Sequence, residues 1–452
     1  METVSIAVDS SSEKGVVRRI NGLNNAAPLS YIFGSARRDL TEQLKALNCA
    51  AIRFHDVVLE NPGLELVDIS RVFPNGHADL DDSKNYHFEA TDDYVANAIA
   101  TGCDRIEFRL GESIEHSRKQ YAVHPPADPE RWAEICCHII SHYNEGWANG
   151  FHHNIIDWSI WEEPDTVPLL FTGTVEDYCN LYCVTAKMIK ERFPAVRVGG
   201  PNCCGGNWDL MTQLLKQCRA SGAPLDFLAC TNYSREPDEL IGLVRLMREL
   251  LDEHGFLSTE VHISEWHYGP QDWNDIHGDV APETHVAALA EIAGSNGGAF
   301  TASSLIGFQD VPIDMSYYYC CCLNCWGLFD ESSRVPTASY YAMRAFGDIA
   351  RYRTRLATDA HPVPAVRVLA ASNGEMKMAV LISCFKAGAM NLNIDFTDST
   401  LDDCMVQVLD ATRSLEAEAP DAVRVDGSRL TIKKDAAGSA VYLVTVGGAV
   451  SP

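Results

Sequence analysis

Three glutamates in this chain stand where an acid could do covalent work. Glu162 and Glu163 are adjacent in IIDWSIWEEPD (155–165), and Glu265 lies in ISEW (263–266). Each follows an apolar, β-prone run, so each falls at the end of a candidate buried strand. Glu163 and Glu265 are separated by about three strand–helix units. On the fourth and seventh strands of a closed barrel they would face each other across the mouth. Two opposed carboxyl groups are the minimum machinery for glycoside hydrolysis. The neighbouring strand ends suit a sugar. Arg53, His55 and Asp56 end AIRFHD (51–56), and Thr231 and Tyr233 end DFLACTNY (226–233). Arg53, His55 and Tyr233 offer donors for hydroxyls. Trp161 and Trp266 flank the acids and offer flat apolar faces for a pyranose.

Plainer readings compete residue by residue. A Glu-Pro pair after a strand also marks a loop, and Arg53 could be a structural ion-pair partner inside a barrel. Adjacent strand residues point to opposite faces, so either Glu162 or Glu163 could be the inward acid. Pro164 constrains Glu163 to an extended backbone, which favours Glu163. His138 and His142 have helical i, i+4 spacing, but no glutamate fills an HExxH slot, so packing outweighs metal. His152 and His153 read as a solvated loop. The sixteen cysteines include one CxxC, Cys322 and Cys325, without a second knuckle. They read as buried thiols of a reducing compartment.

The elements that would position these residues alternate regularly. Strand patterns at 20–24, 51–56, 104–111, 155–161, 196–202, 226–233, 260–266 and 315–320 are separated by amphipathic helical patterns such as DPERWAEICCHIISHY and TVEDYCNLYCVTAKMIKERF. Eight such units predict an α/β fold, a (β/α)8 TIM barrel over 10–350. An open doubly wound sheet is the alternative. No GxGxxG opens the first helix and no P-loop is present, so nucleotide chemistry has no support. Beyond residue 350 the period changes to short alternating strands with turn residues between them. That predicts a β-sandwich over 351–452, joined by an N-terminal strand at 3–9.

The formal net charge of −26 argues against nucleic-acid and anionic-membrane partners. No run has the length of a membrane span, and the first residues lack a basic start and apolar signal core. A cytoplasmic location is therefore expected. The acidic surface is compatible with a homo-oligomer and sets no subunit count.

With IRFHD (52–56), WSIWEEPD (158–165), VGGPN (198–202), LDFLACTNY (225–233) and ISEW (263–266) in this order, followed by WGLFD (326–330) and PTASYYAM (336–343), the chain resembles glycoside hydrolase family 39 of clan A, a family of β-xylosidases and α-L-iduronidases. The resemblance implies a retaining enzyme, with Glu163 as general acid/base and Glu265 as nucleophile, needing neither metal nor organic cofactor. It implies a small oligosaccharide or glycoside as substrate, with a neutral glycone, xylose first. Two positions depart from the family: Glu162 stands where it has asparagine, and Thr231 where it has histidine. Three consequences are open for Glu162. It accepts a hydrogen bond from a 2-hydroxyl while its charge helps keep Glu163 protonated; it recognises a different group, such as an amine or an inverted hydroxyl; or the site has lost turnover and only binds glycan.

Overall fold

The computed structural model describes residues 2–25, 40–55, 66–114, 118–269, 275–276, 278–321, 326–330, 335–360, 363–374, 377–397, 401 and 403–448, and the backbone alone at 32–33 and 36–37. Asp56, Cys322 and Cys325 lie outside the described residues.

All eight expected strands form, at Asn21–Asn24, Ala51–Phe54, Arg105–Leu110, Asp157–Ile160, Arg197–Cys204, Phe227–Ser234, Glu260–Tyr268 and Met315–Tyr318. Each pairs in parallel with the next, and the eighth returns to the first, closing the predicted (β/α)8 barrel. The helices around it carry their own start signals. Thr174 caps Val175–Arg192, its hydroxyl accepting from the Asp177 amide while the Asp177 carboxylate accepts from the Thr174 amide. Asp128 caps Pro129–Asn144. His142 of that helix stacks on Phe88 at 3.6 Å between centroids and bonds Asp92 and the Trp147 carbonyl, so it is a packing residue. All fourteen described cysteines are free and most are buried.

The barrel interior is charged. At its N-terminal floor Asp157 accepts from Arg105 Nε at 2.7 Å and from Arg197 Nε at 2.8 Å, and Arg197 Nη2 donates to Glu260 at 2.5 Å. His262 Nε2 lies 3.0 Å from Glu260 and its Nδ1 lies 3.5 Å from Glu107. Arg53 Nε donates to Glu107 at 3.0 Å, and Arg53 Nη2 donates to Glu162. Glu107, His262, Arg53 and Glu162 are fully enclosed. Burying charges is costly, and this column meets the cost by alternating acid and base from floor to mouth. Gly199 makes room for it: a Cβ there would lie 2.2 Å from the Phe227 ring, which stacks on His262.

The C-terminal strands form one continuous ten-stranded sheet, mostly antiparallel and curled around its own core. Glu2–Val16 sits in its middle, antiparallel to Thr354–Ala360 and parallel to Met390–Phe396. Alternation divides the faces. Val380 and Ile382 join Val4, Ile6, Val8 and Leu392 inside the curl, while Ala379 and Leu381 face the barrel layer. Helix Ser295–Gly307 lies between the two, tied to the sheet where Ser383 Oγ donates to the Ala299 carbonyl at 2.7 Å.

Candidate active site

The fourth strand ends at Ile160, and the chain then leaves the extended conformation. Trp161 has φ 68° and Glu163 has φ 33°, so Glu163 is not extended before Pro164 as its sequence suggests. The turn is stapled by its neighbour strand. Asn202 Nδ2 donates to the Trp161 carbonyl at 2.8 Å, and the Glu163 amide donates to the Asn202 carbonyl at 3.2 Å. Because alternation is broken here, Glu162 and Glu163 both reach the barrel mouth, and the choice between them dissolves.

The two carboxylates meet different partners. Glu163 accepts from Thr231 Oγ1 at 2.6 Å and from Thr166 Oγ1 at 2.9 Å. Glu162 is held by Arg53 through Oε2, with His55 Nδ1 at 3.6 Å. Glu265, from the seventh strand, accepts from Tyr233 at 2.8 Å; His55 Nε2 lies 2.9 Å and Arg53 Nη1 3.8 Å from its Oε1. Strand six thus serves both candidate acids from alternate positions, Thr231 to Glu163 and Tyr233 to Glu265, as two same-face residues can.

Burial is the largest influence on all three acids, and it lifts each to about 7. For Glu163 the negative charge of Glu265 adds to the rise, while the Thr231 and Thr166 hydroxyls oppose it. For Glu162 Arg53 and His55 oppose it, and Glu265 and Glu163 add to it. For Glu265 Arg53 and the Tyr233 hydroxyl oppose it. Glu107 is also pushed upward by burial, but His262 and Arg53 outweigh that and hold it to about 2. Three carboxyl groups that each titrate near neutrality, served by one fixed guanidinium, can hold, give and take protons.

His55, Glu162, Glu163, Thr231, Tyr233 and Glu265 are brought together. Arg53 is there too, but its nitrogens are committed to Glu107, Glu162, Asn24 and the Ser264 carbonyl, so it orients the acids instead of offering donors to a sugar. The two tryptophans are not pocket walls. Trp161 is 1% exposed, donates to the Leu170 carbonyl at 2.8 Å and packs against Trp132 and Phe171. Trp266 is fully enclosed against Phe308 and Tyr318, on the opposite face of its strand from Glu265. For Trp266 the platform role is corrected by the same alternation that points Glu265 inward, and for Trp161 by a backbone that has already left the extended conformation. Among the described residues, Trp326 places a ring 5.2 Å from Tyr233, as Tyr319 does 5.9 Å from His55. Sequence reasoning missed Trp326, along with Thr166, Glu107 and His262. Glu107 had a signal: a charged residue at an inward position of IEFRL.

His55, Glu162 and Glu265 offer ligand atoms within 4.8 Å of one another, the spacing of a metal site. The Arg53 guanidinium against Glu162 argues against a divalent ion, which it would repel. No helix among the described residues is long and apolar enough to cross a membrane.

Comparison with known proteins concerns the family and the fold. The glycosyl hydrolases family 39 pattern matches residues 77–347. A beta-xylosidase of Geobacillus stearothermophilus is 26% identical over 283 residues, 58% of this chain and 53% of that protein. A second, from Caldicellulosiruptor saccharolyticus, is 24% identical over 50% of this chain and 43% of its own length. The chain thus spans about half the length of the curated relatives it matches. Among solved structures, a glucosidase from Croceicoccus marinus superposes with TM-score 0.80 at 19% identity, covering 100% of this chain and 99% of that one. A monomeric beta-xylosidase from Caulobacter crescentus CB15 gives TM-score 0.71 at 17% identity over 98% and 99%. These two likenesses concern the fold. With more than half of its length matched by the family pattern, the chain belongs to glycosyl hydrolases family 39.

Proposed function

We propose that this chain is a retaining exo-glycosidase that removes a terminal β-xyloside, or a similar neutral glycone, from a short oligosaccharide in the cytoplasm. The observation that carries the reading is the pair Glu163 and Glu265, at the C-terminal ends of two barrel strands and each supported by its own hydroxyl donor from strand six. Residues 10–350 form the catalytic unit in this reading, with 351–452 and strand 3–9 as its companion. The names of the two beta-xylosidases support xylose as the first candidate.

In the first step a Glu265 oxygen attacks the anomeric carbon. The carbon–Glu265 bond forms as the bond to the departing oxygen breaks, and Glu163 gives that oxygen its proton. In the second step Glu163 takes a proton from water as the water oxygen replaces Glu265 at the same carbon. Glu163 must start protonated and Glu265 ionised. Burial and the charge of Glu265 favour the first; Tyr233 and Arg53 favour the second.

The test is release of nitrophenol from β-xyloside, β-galactoside, β-glucoside and α-L-arabinofuranoside, with Glu163→Ala and Glu265→Ala beside the wild type. Turnover of one sugar, abolished in Glu265→Ala and recovered by azide in Glu163→Ala with a β-glycosyl azide as product, is the expected result. Undiminished turnover in Glu265→Ala, or none by the wild type on any glycoside, would refute the proposal.

A further inference from the structure

Glu162 is the acid for which the double displacement has no step. Its carboxyl is completely enclosed, and among the described residues its Oε1 has no hydrogen-bond partner. Oε1 of Glu265 is likewise buried without an aligned donor, although His55 Nε2 is near it. The two carboxyl groups come within 4.8 Å of each other around His55. Two carboxylates cannot sit this close in a dry pocket with both charges intact. One proton held by the pair removes that repulsion and leaves one negative charge beside Arg53.

We propose that Glu162 is a positioning residue that works as a neutral carboxylic acid, donating a hydrogen bond to the Glu265 carboxylate as an amide would. This deepens the glycosidase reading and rests on it for its kinetic arm alone.

The surrounding groups favour that distribution of the proton. Tyr233 donates to Glu265 and to neither of the other acids, and His55 lies closer to Glu265 than to Glu162. Both stabilise charge on Glu265. Arg53 touches Glu162 but shares its charge with Glu107, which is already ionised. Glu163, next in the chain, takes no part in the pair, since its own hydrogen bonds go to Thr231 and Thr166. A protonated glutamate presents a carbonyl and a donor as a glutamine does. It fills the place of the family's asparagine with the same hydrogen-bonding character, at the cost of being titratable.

Two experiments test this. In the first, kcat/KM is followed with pH for the wild type, Glu162→Gln and Glu162→Ala. The wild type must keep protons on both Glu163 and Glu162, so the logarithm of kcat/KM falls with slope 2 on the alkaline side; Glu162→Gln falls with slope 1. The glutamine variant keeps turnover within about tenfold, and the alanine variant loses on the order of 100-fold or more, as for removal of one preorganised donor. A glutamine variant as damaged as alanine, or with slope 2, overturns the proposal. So does activity removed by a chelator and restored by Zn²⁺, which would assign the three groups to an ion. In the second, infrared spectra of Glu163→Gln and of Glu163→Gln/Glu162→Gln are subtracted near pH 6. A carboxylic-acid carbonyl band in the difference supports a protonated Glu162. Its absence overturns the proposal whether or not any glycoside is turned over. A band with no wild-type turnover sinks the glycosidase reading and leaves the proton-sharing pair standing.

Discussion

Glu163→Gln should make the protein more stable above neutral pH and leave it unchanged in acid. The ordinary value of a glutamate is 4.5, and burial with the charge of Glu265 lifts Glu163 to about 7. The folded state therefore binds this proton more tightly than the unfolded chain does. Its favourable contribution is complete below pH 4.5 and disappears as pH rises through about 7. At about 1.4 kcal/mol per unit of pKa, the ionised side chain costs the folded state up to about 3 kcal/mol. Glutamine cannot ionise. It keeps the shape, and the Thr231 and Thr166 hydroxyls can rotate to give or accept a bond. Melting temperatures of both proteins, measured from about pH 5 to pH 9, should coincide at the acid end and diverge by a few degrees at the alkaline end, the variant higher. Turnover of any glycoside without an activated leaving group should be lost. A melting difference that is constant with pH, or a variant that melts lower at high pH, would show that the hydroxyl bonds outweigh burial and that Glu163 is not held near neutrality.

Four further changes separate roles within the site. Thr231→Val removes the shortest bond that holds Glu163 down, so the alkaline limb of kcat/KM should move up by roughly half to one pH unit; an unmoved limb would mean another group sets it. Tyr233→Phe removes the donor that keeps Glu265 ionised. Its acid limb should move up and kcat fall about 10- to 100-fold with little change in KM, and an unchanged kcat would remove Glu265 from the nucleophile's role. Arg53→Met strands the ionised Glu107 in the core and takes the donor from Glu162, a loss of about 3–5 kcal/mol visible in thermal melts; wild-type melting would refute the ion-paired column. Trp161→Phe should lower stability by about 1–3 kcal/mol and leave KM within about twofold, whereas a large rise in KM would restore the indole to the pocket wall.

The barrel was legible because its eight strands are short apolar runs divided by strongly amphipathic helices. Helix Ser295–Gly307 was not. Its sequence, SNGGAFTASSLIG, has no polar face, and eleven of its residues are buried between barrel and sheet. A helix enclosed on all sides has no 3.6-residue alternation to read. The acids of the site were legible as strand ends; Thr231 and Tyr233 were legible as their neighbours but were read as sugar contacts and not as donors to Glu163 and Glu265. The orientation of Glu162 was not, because alternation assumes an extended chain and the left-handed turns at Trp161 and Glu163 end that assumption one residue early. The same alternation, applied to Trp266, would have placed its ring behind the strand. Arg53 illustrates a different limit: its surroundings are assembled from strands one, three, four and seven, and no local pattern declares how many partners it will find.

The column of alternating charge through the barrel has a consequence for how the site meets solvent. Its lower end is wet: the side chains of Glu260 and Arg197 are each 26% exposed at the floor. Its upper end is enclosed: Glu162 and Arg53 have no exposed surface, and they are joined through Glu107 and His262 to ions and water below. The barrel then behaves like an electrode whose grounded terminal is at the far side from the reaction. Salt, pH and substitutions at the floor therefore reach the acids through the protein, so a search for altered chemistry has as much to gain from Glu260 and His262 as from the residues at the mouth.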